Sequence, residues 1–157
     1  VLKNGEITRR PVEAGPFLKE LEGMLRPVMK AEDIRLKVKY EDGVFVGDRD
    51  LVKTVLINLA DNARKAIDGG GTIVIIGKPE KEGYAFYVRD TGKGIPKSNW
   101  KRIFEPGFTT KTRGWGLGLS LSRRIIEEYH NGKIAVVESE PGKGTMIRIT
   151  LKRFFDA

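Results

Sequence analysis

The chain has 157 residues, of which 39% are apolar and 32% charged, a composition typical of one globular domain and unlike that of disordered or membrane-spanning proteins. No apolar run approaches the roughly 18 residues of a transmembrane helix, and the absence of cysteine excludes disulfides and thiolate zinc sites. The net charge of +8 predicts attraction to anions, but the basic residues are scattered and lack the interleaved aromatic residues of a nucleic-acid groove, so no nucleic acid is expected as a partner.

Hydrophobic periodicity predicts helices that alternate with short runs of strands. Asp48 stands where a helix N-cap is needed, Pro27 falls inside the first helical pattern, and the strand "VFVG" is expected to pair with the strand before it. The predicted elements in chain order are an extended start (7–12), a helix (17–33), strands (34–40 and 44–47), a helix (50–67), strands (72–77 and 84–90), a short helix (98–104), a loop (105–116), a helix that ends near 130, and strands (133–139 and 145–152).

This order of elements predicts an α+β fold. Helices that interleave with pairs of adjacent strands are typical of a two-layer sandwich, in which a mixed, mostly antiparallel sheet is covered on one face by about three helices. We expect residues 1–157 to form a single domain, because the chain is too short for two full hydrophobic cores.

Three glycines, Gly114, Gly116 and Gly118, stand directly before the last predicted helix. Glycine lets the backbone approach a ligand closely, and the unpaired N–H groups at a helix start attract phosphate. A loop that packs tightly against a neighbouring element needs the same residues. The glycine pattern alone therefore leaves a phosphate site and a structural turn as open interpretations.

A second polar set, Asn58, Asn62 and Lys65, follows one side of the predicted helix 50–67. Amide oxygens are suitable Mg²⁺ ligands, and a lysine ammonium is a suitable phosphate contact. Each asparagine taken singly is also explained as a surface residue or as a hydrogen-bonding partner of a nearby loop.

Asp90 ends a predicted strand and is followed by "TGKGIP". A buried carboxylate at this point accepts a hydrogen bond from an exocyclic amine such as that of adenine, and Gly92 and Gly94 leave room for a flat ring. The alternative is a turn aspartate followed by glycines that supply positive φ angles.

The order of these motifs along the chain carries more information than any one of them. "NLADNARKA", "DTGKGIP", "IFEPGFTTK" and "GWGLGL" resemble the N, G1, F and G2 boxes of the sensor histidine kinase catalytic domain, within the GHKL superfamily that shares the Bergerat ATP-binding fold. The resemblance covers roughly residues 5–153, which is nearly the whole chain.

The resemblance implies a site for ATP and Mg²⁺ beneath a lid formed by residues 105–115. Asn62 would be the magnesium ligand, Asp90 the partner of the adenine amine, and Thr145 a contact to adenine through water. The implied nucleotide-binding residues are Asn58, Asn62, Lys65, Asp90, Gly92, Gly94, Lys111, Arg113, Gly114, Gly116, Leu117, Gly118 and Thr145.

Asn58 separates the subfamilies. In relatives that hydrolyse ATP, and in serine-directed kinases, a glutamate at this place activates the nucleophile, whereas Asn58 has no basic carboxylate. The domain is therefore expected to donate the γ-phosphoryl group of ATP to a histidine on a separate helical domain, with no residue of its own acting as a base. A non-catalytic interaction module, or a hydrolysing or serine-directed GHKL ATPase, is the alternative function.

His130 is the only histidine of the chain and lies near the end of the last predicted helix. We expect it to cap the helix or to face solvent rather than to accept a phosphoryl group. Trp115 and Gly107 depart from the family pattern, in which a small residue and a second aromatic are common, and Trp115 is expected to serve packing rather than chemistry.

The resemblance also implies the partners of the domain. These are its own dimerisation and histidine phosphotransfer domain, absent from these 157 residues, and a downstream response regulator. We expect the fragment itself to be a monomer located in the cytoplasm, and the full-length protein to be a membrane-associated homodimer.

Overall fold

The computed structural model describes residues 7–81, 83–108 and 118–154, which form one five-stranded sheet, one two-stranded sheet and a helical layer. The strands are β1 (Arg10–Glu13), β2 (Ile34–Tyr40), β3 (Val44–Gly47), β4 (Gly71–Glu80), β5 (Gly83–Asp90), β6 (Lys133–Glu140) and β7 (Gly144–Lys152). The helices are α1 (Ala14–Ala31), α2 (Arg49–Ala66) and α3 (Gly118–Arg123), which continues as a π-helical segment (Arg124–Glu128), and two short 3-10 turns span Lys97–Asn99 and Arg102–Phe104.

The five-stranded sheet has the order β2-β4-β5-β7-β6. Its β2–β4 pair is parallel and its other pairs are antiparallel, so the predicted α+β sandwich with a mixed, mostly antiparallel sheet is confirmed. The predicted partner of β3 was wrong. β3 pairs with β1 in a separate antiparallel sheet, because β2 takes its neighbour from β4, more than thirty residues further along the chain.

The core lies between the helices and one face of the five-stranded sheet. Along β4, Ile73 and Ile75 are fully buried while the residues between them are partly exposed, as the period of two in a strand requires. Phe17 of α1, Phe45 of β3 and Phe86 of β5 meet with ring centroids 5.2 to 5.7 Å apart. Because the three rings belong to α1 and to both sheets, this cluster joins the two sheets to α1. Burial of each ring contributes roughly 1.5 to 3 kcal/mol.

α2 begins as the sequence predicts. The Asp48 side chain accepts a hydrogen bond from the Leu51 N–H at 3.0 Å, which satisfies one of the free donors of the first turn. Within the described residues, none of the helices combines the length and the apolar character that crossing a membrane requires.

His130 is buried, so the expectation that it faces solvent was wrong. Its Nδ1 lies 2.7 Å from the Ile125 carbonyl oxygen at the end of the helix, which agrees with the capping alternative. Its Nε2 accepts a hydrogen bond from the Asp48 N–H at 3.0 Å. The imidazole therefore carries its proton on Nδ1 and ties the end of the π-helical segment to the start of α2.

We expect the stability of the domain to fall as the pH drops below about 6.5. Burial lowers the pKa of His130 from 6.5, although the Ile125 carbonyl and Asp48 oppose this shift. A histidine whose folded-state pKa is lowered stabilises the fold above its unfolded pKa, and this contribution is lost as the pH falls through the folded value. Urea unfolding at several pH values between 5 and 8 measures the loss, whose slope is at most about 1.4 kcal/mol per pH unit for one proton.

The control for this prediction is His130→Gln, since no other histidine is present. Its unfolding free energy should vary less over the same pH range. An equally steep dependence in both proteins would assign the titration to another group.

Candidate functional site

Asp90 ends β5 with its carboxylate buried, 7% of the residue being exposed. Its Oδ1 accepts a hydrogen bond from the Gly92 N–H at 2.8 Å, and the backbone N–H of Thr145 on β7 is a second donor to the carboxylate. Burial raises the pKa of Asp90, and the two backbone hydrogen bonds partly oppose this shift. Because a carboxylate has about four acceptor positions, Asp90 keeps acceptor capacity for a ligand.

The loop after Asp90 is held against α2 and against the β6–β7 turn. The Lys93 N–H donates to the Ala66 carbonyl at the end of α2 at 2.9 Å. A Cβ on Gly92 would lie 2.6 Å from that same carbonyl oxygen, and a Cβ on Gly94, at φ +78°, would lie 2.2 Å from the Glu140 carbonyl oxygen. Both positions therefore need glycine, one for close approach to α2 and the other for close approach and positive φ.

Thr145 lies opposite Asp90 in the β5–β7 register and is buried. Its Oγ1 is 2.8 Å from Ser139 Oγ, which also accepts the Ile95 N–H at 2.7 Å and lies 3.1 Å from the Gly144 carbonyl oxygen. Ser139 thus fixes both the Thr145 hydroxyl and the loop that follows Gly94. The sequence analysis missed Ser139, and an isolated serine on a predicted strand carries no signal that would have found it.

We expect Ser139→Ala to destabilise the domain by about 1 to 3 kcal/mol, because the Ile95 N–H and the Thr145 hydroxyl both lose a partner in a half-buried site. Ser98→Ala, at an exposed position, is the matched control and should stay within about 0.5 kcal/mol of the parent. Urea midpoints of the three proteins measure the difference, and equal midpoints would show that Ser139 is structurally neutral.

Asn58 and Asn62 lie one turn apart on α2, and both are half-buried. Lys65 is exposed near the end of the same helix, where its Nζ pairs with Asp61 Oδ2 at 3.2 Å. Asp61 also accepts from Arg64. The predicted phosphate contact of Lys65 therefore requires this ammonium to be shared with Asp61 or released from it.

α3 begins beside Asn58. A Cβ on Gly118 would lie 3.7 Å from Cγ and Nδ2 of Asn58, which places the last glycine of the predicted phosphate loop next to α2. The other predicted residues of this loop, Lys111, Arg113, Gly114, Gly116 and Leu117, lie outside the described residues, as do Trp115 and most of the predicted lid.

α2 connects the two parts of the candidate site. Its end contacts the Asp90 loop through Ala66, and its middle contacts α3 through Asn58, about 12 Å earlier along the helix at 1.5 Å per residue. Asn62 lies between them. The structure thus brings Asp90, Gly92, Gly94 and Thr145 together at one end, and Asn58 and Gly118 at the other.

This arrangement has the chemistry of an elongated ligand site. One end offers a buried acceptor that is fixed by backbone donors, and the other offers amide groups beside the start of a helix. Among the described residues, no group of three or more His, Cys, Asp or Glu side chains forms a metal cluster.

Comparison with known proteins identifies the family and the fold. Residues 47–154 match the model of a family described as histidine kinase-, DNA gyrase B-, and HSP90-like ATPase. The catalytic domain of histidine kinase ThkA superposes with a TM-score of 0.85 at 31% sequence identity, over 94% of this chain and 97% of that domain. The structure of ThkA in complex with the response regulator protein TrrA superposes with a TM-score of 0.80 at 28% identity, over 93% of this chain and 42% of that one.

Sporulation kinase A of Bacillus subtilis (strain 168) is 38% identical over 136 residues. The match covers 85% of this chain and 22% of that kinase, so the chain spans about a fifth of the length of this relative. The similarity therefore concerns one domain of a longer protein in the relative.

Proposed function

The chain belongs to the histidine kinase-, DNA gyrase B-, and HSP90-like ATPase family and has the fold of a histidine kinase catalytic domain, and from this we propose that it binds Mg-ATP and donates the γ-phosphoryl group to a histidine on a separate helical dimerisation domain. The observation that carries the proposal is the buried Asp90 carboxylate, anchored by Gly92 and Thr145 at one end of α2, with Asn58 and Gly118 further along the same helix.

Asp90 is the proposed partner of adenine. Its carboxylate accepts a hydrogen bond from the exocyclic amine, while the Gly92 N–H and the Thr145 N–H keep it oriented. The Thr145 hydroxyl, which lies 2.8 Å from Ser139 Oγ, is the proposed contact to adenine through a water. The absence of a Cβ at Gly92 and Gly94 lets this loop pack closely against the Ala66 and Glu140 carbonyl oxygens.

Asn58, Asn62 and Lys65 form the proposed phosphate end, together with Gly118 and with Lys111, Arg113, Gly114, Gly116 and Leu117. The Asn62 amide oxygen suits Mg²⁺, a hard cation that takes few protein ligands and completes its coordination with water and phosphate oxygens. The ion would neutralise charge on the phosphates. Lys65 adds a positive charge that phosphate would draw away from Asp61.

The chemistry needs no base from this domain. The unprotonated nitrogen of a neutral imidazole on the separate domain attacks the γ-phosphorus, a nitrogen–phosphorus bond forms, and the bond from phosphorus to the bridging oxygen of ADP breaks. The proton on the second imidazole nitrogen is then released to solvent. Asn58 has no carboxylate to activate water, so the domain holds ATP with little hydrolysis. His130 is not the acceptor, since both of its nitrogens are engaged in a buried contact.

The proposed partners follow from this scheme. They are the dimerisation and phosphotransfer domain of the longer protein and a response regulator that accepts the phosphoryl group from it. The structure of ThkA in complex with the response regulator protein TrrA supports the second of these partners. The site lies in the cytoplasm in this proposal, where ATP is available, and dimerisation belongs to the helical domain.

Calorimetric titration of ATP with and without Mg²⁺ tests binding. Incubation with γ-labelled ATP and the histidine-bearing helical domain, supplied in trans, tests transfer. We expect magnesium-assisted binding, little release of inorganic phosphate, and label on the helical domain that is acid-labile and base-stable.

Other outcomes favour the alternatives. Acid-stable phosphoserine would assign the domain to the serine-directed kinases, and rapid phosphate release to the hydrolysing ATPases. Absence of nucleotide binding would make the domain a non-catalytic interaction module.

A further inference from the structure

The second face of the five-stranded sheet carries no helix among the described residues. Strand alternation directs Ile73 and Ile75 into the core, so Val74, Ile76 and Lys78 of β4 point to the opposite side. The cross-strand register then places on that side the residues of the open sheet face, which are Arg35, Lys37, Lys39, Thr72, Val74, Ile76, Lys78, Glu80, Ala85, Tyr87, Arg89, Lys133, Ala135, Glu138, Glu140, Met146, Arg148, Thr150 and Lys152.

This face holds most of the net positive charge of the protein. Its cations are Arg35, Lys37, Lys39, Lys78, Arg89, Lys133, Arg148 and Lys152, and its carboxylates are Glu80, Glu138 and Glu140. All three carboxylates are already engaged, Glu80 with Arg148 and Tyr87, Glu138 with Arg89 at 2.7 Å, and Glu140 with Lys143 at 3.5 Å. Within the described part of the chain, the cations of β2 have no carboxylate within salt-bridge distance.

Lysines lie at both sides of this face. One rim is the β2 edge with Lys37 and Lys39, and the opposite rim holds Lys133 and Lys152 on β6 and β7, with Glu138 and Glu140 further along β6. Between them lie the half-buried Val74, Ile76, Tyr87 and Met146. Lys78, Arg89 and Arg148 lie on the same central strands, where Arg89 and Arg148 are paired with Glu138 and Glu80. Lys78 Nζ lies 5.3 Å from the Tyr87 ring centroid, so the cationic stems cover part of this centre.

The dimensions of this pattern match a helix. Five strands at about 4.8 Å spacing separate the rims by about 19 Å, and an α-helix with its side chains is about 10 to 12 Å across. A helix over β4 and β5 would bury its apolar side on Val74 and Ile76, and its flanking carboxylates would reach a cationic rim on each side. Packing of a helix on a sheet face is also the ordinary way in which such a layer is completed.

Two other anionic partners, a lipid bilayer and single-stranded nucleic acid, fit this face less well. Adjacent strands rotate by roughly 20 to 25°, so a five-stranded face is a saddle that a flat bilayer contacts only in part. Single-stranded nucleic acid binds on exposed aromatic platforms, and Tyr87, the aromatic residue at the centre of this face, is occupied by Glu80 and by two cations.

We propose that the open sheet face docks an acidic amphipathic helix of a protein partner, with the apolar side of the helix on Val74 and Ile76 and its carboxylates at the two lysine rims. This surface is separate from the nucleotide site, which lies on the helical side of the sheet. Docking and ATP binding are therefore measured independently, and either proposal can fail alone.

The probe is a fluorescein-labelled synthetic helix with leucine at i, i+3, i+4 and i+7 and glutamate on both flanks, titrated with the domain and followed by anisotropy. We expect saturable binding that weakens with salt. Lys37→Glu combined with Lys39→Glu should weaken it about tenfold or more, and Lys133→Glu with Lys152→Glu should act in the same direction. Lys19→Glu with Lys30→Glu, at exposed positions of α1, makes the same change in net charge and should alter the affinity less than about twofold.

Circular dichroism and ATP titration establish that each variant is folded. A scrambled peptide of the same composition that binds equally well, or equal effects of the sheet and α1 variants, would reduce the surface to non-specific charge and overturn the proposal. Binding of phosphatidylglycerol vesicles or of DNA without binding of the peptide would replace the helix by that partner. No binding of the peptide at all would also overturn it.

Discussion

Asp90→Asn is expected to weaken ATP binding by about a hundredfold or more while leaving the domain at least as stable as the parent. The asparagine oxygen can still accept the Gly92 N–H, but its NH₂ group would then face the adenine amine, and two donors cannot pair. The expected loss of affinity is large because the asparagine NH₂ group and the adenine amine would both stay buried without a hydrogen-bond acceptor.

The effect on stability follows from the raised pKa of Asp90. A carboxyl group whose folded-state pKa is raised favours the fold below its unfolded pKa, and this contribution is lost as the pH rises through the folded value. The ionised carboxylate is therefore the less favourable state of the folded domain, and the neutral amide avoids its desolvation. Without nucleotide, urea unfolding should give an equal or higher free energy for Asp90→Asn.

Asp68→Asn is the matched control, since Asp68 is exposed. It should change neither ATP affinity nor stability beyond about 0.5 kcal/mol. If Asp90→Asn lost affinity and stability together, the carboxylate would be a structural residue of the turn, and the adenine assignment would lose its support.

The sequence alone predicted the elements that are marked by residues close together in the chain. Asp48 was recognised as an N-cap because the capping hydrogen bond to Leu51 spans three residues, and β2 because its alternation of apolar and charged residues is read directly from the chain. The partner of β3 was missed because pairing is decided by which strand is nearest in space. β1 fits beside β3 when α1 packs on the sheet, and no local pattern records this.

The same distinction applies to the candidate site. Asp90 and its two glycines were found because they are contiguous in the chain, and Asn58 and Asn62 because one helical turn separates them. Ser139 was missed because its partners, Ile95 and Thr145, are brought to it only by the sheet register and by the loop after Gly94. His130 was misjudged in part because a residue near a helix end has no local mark of burial, and the α2 N-cap that covers it lies 82 residues away.

Gly94→Ala is expected to destabilise the domain far more than Gly142→Ala, although the two glycines share nearly the same backbone conformation. Gly94 has φ +78° and Gly142 φ +84°, so a side chain at either position is strained by about 1 to 2 kcal/mol. A Cβ on Gly142 meets nothing within 4 Å, whereas a Cβ on Gly94 would lie 2.2 Å from the Glu140 carbonyl oxygen. The pair of variants therefore separates the conformational strain from the steric clash.

We expect urea unfolding to show a loss of about 1 kcal/mol for Gly142→Ala and at least about 2 kcal/mol more for Gly94→Ala. ATP affinity should fall only in Gly94→Ala, because relief of the clash moves the loop away from the β6–β7 turn and disturbs both the Ile95–Ser139 hydrogen bond and the setting of Asp90. Equal losses of stability with unchanged affinity would mean that the loop can shift freely, and that close packing against Glu140 does not hold the adenine end of the site in place.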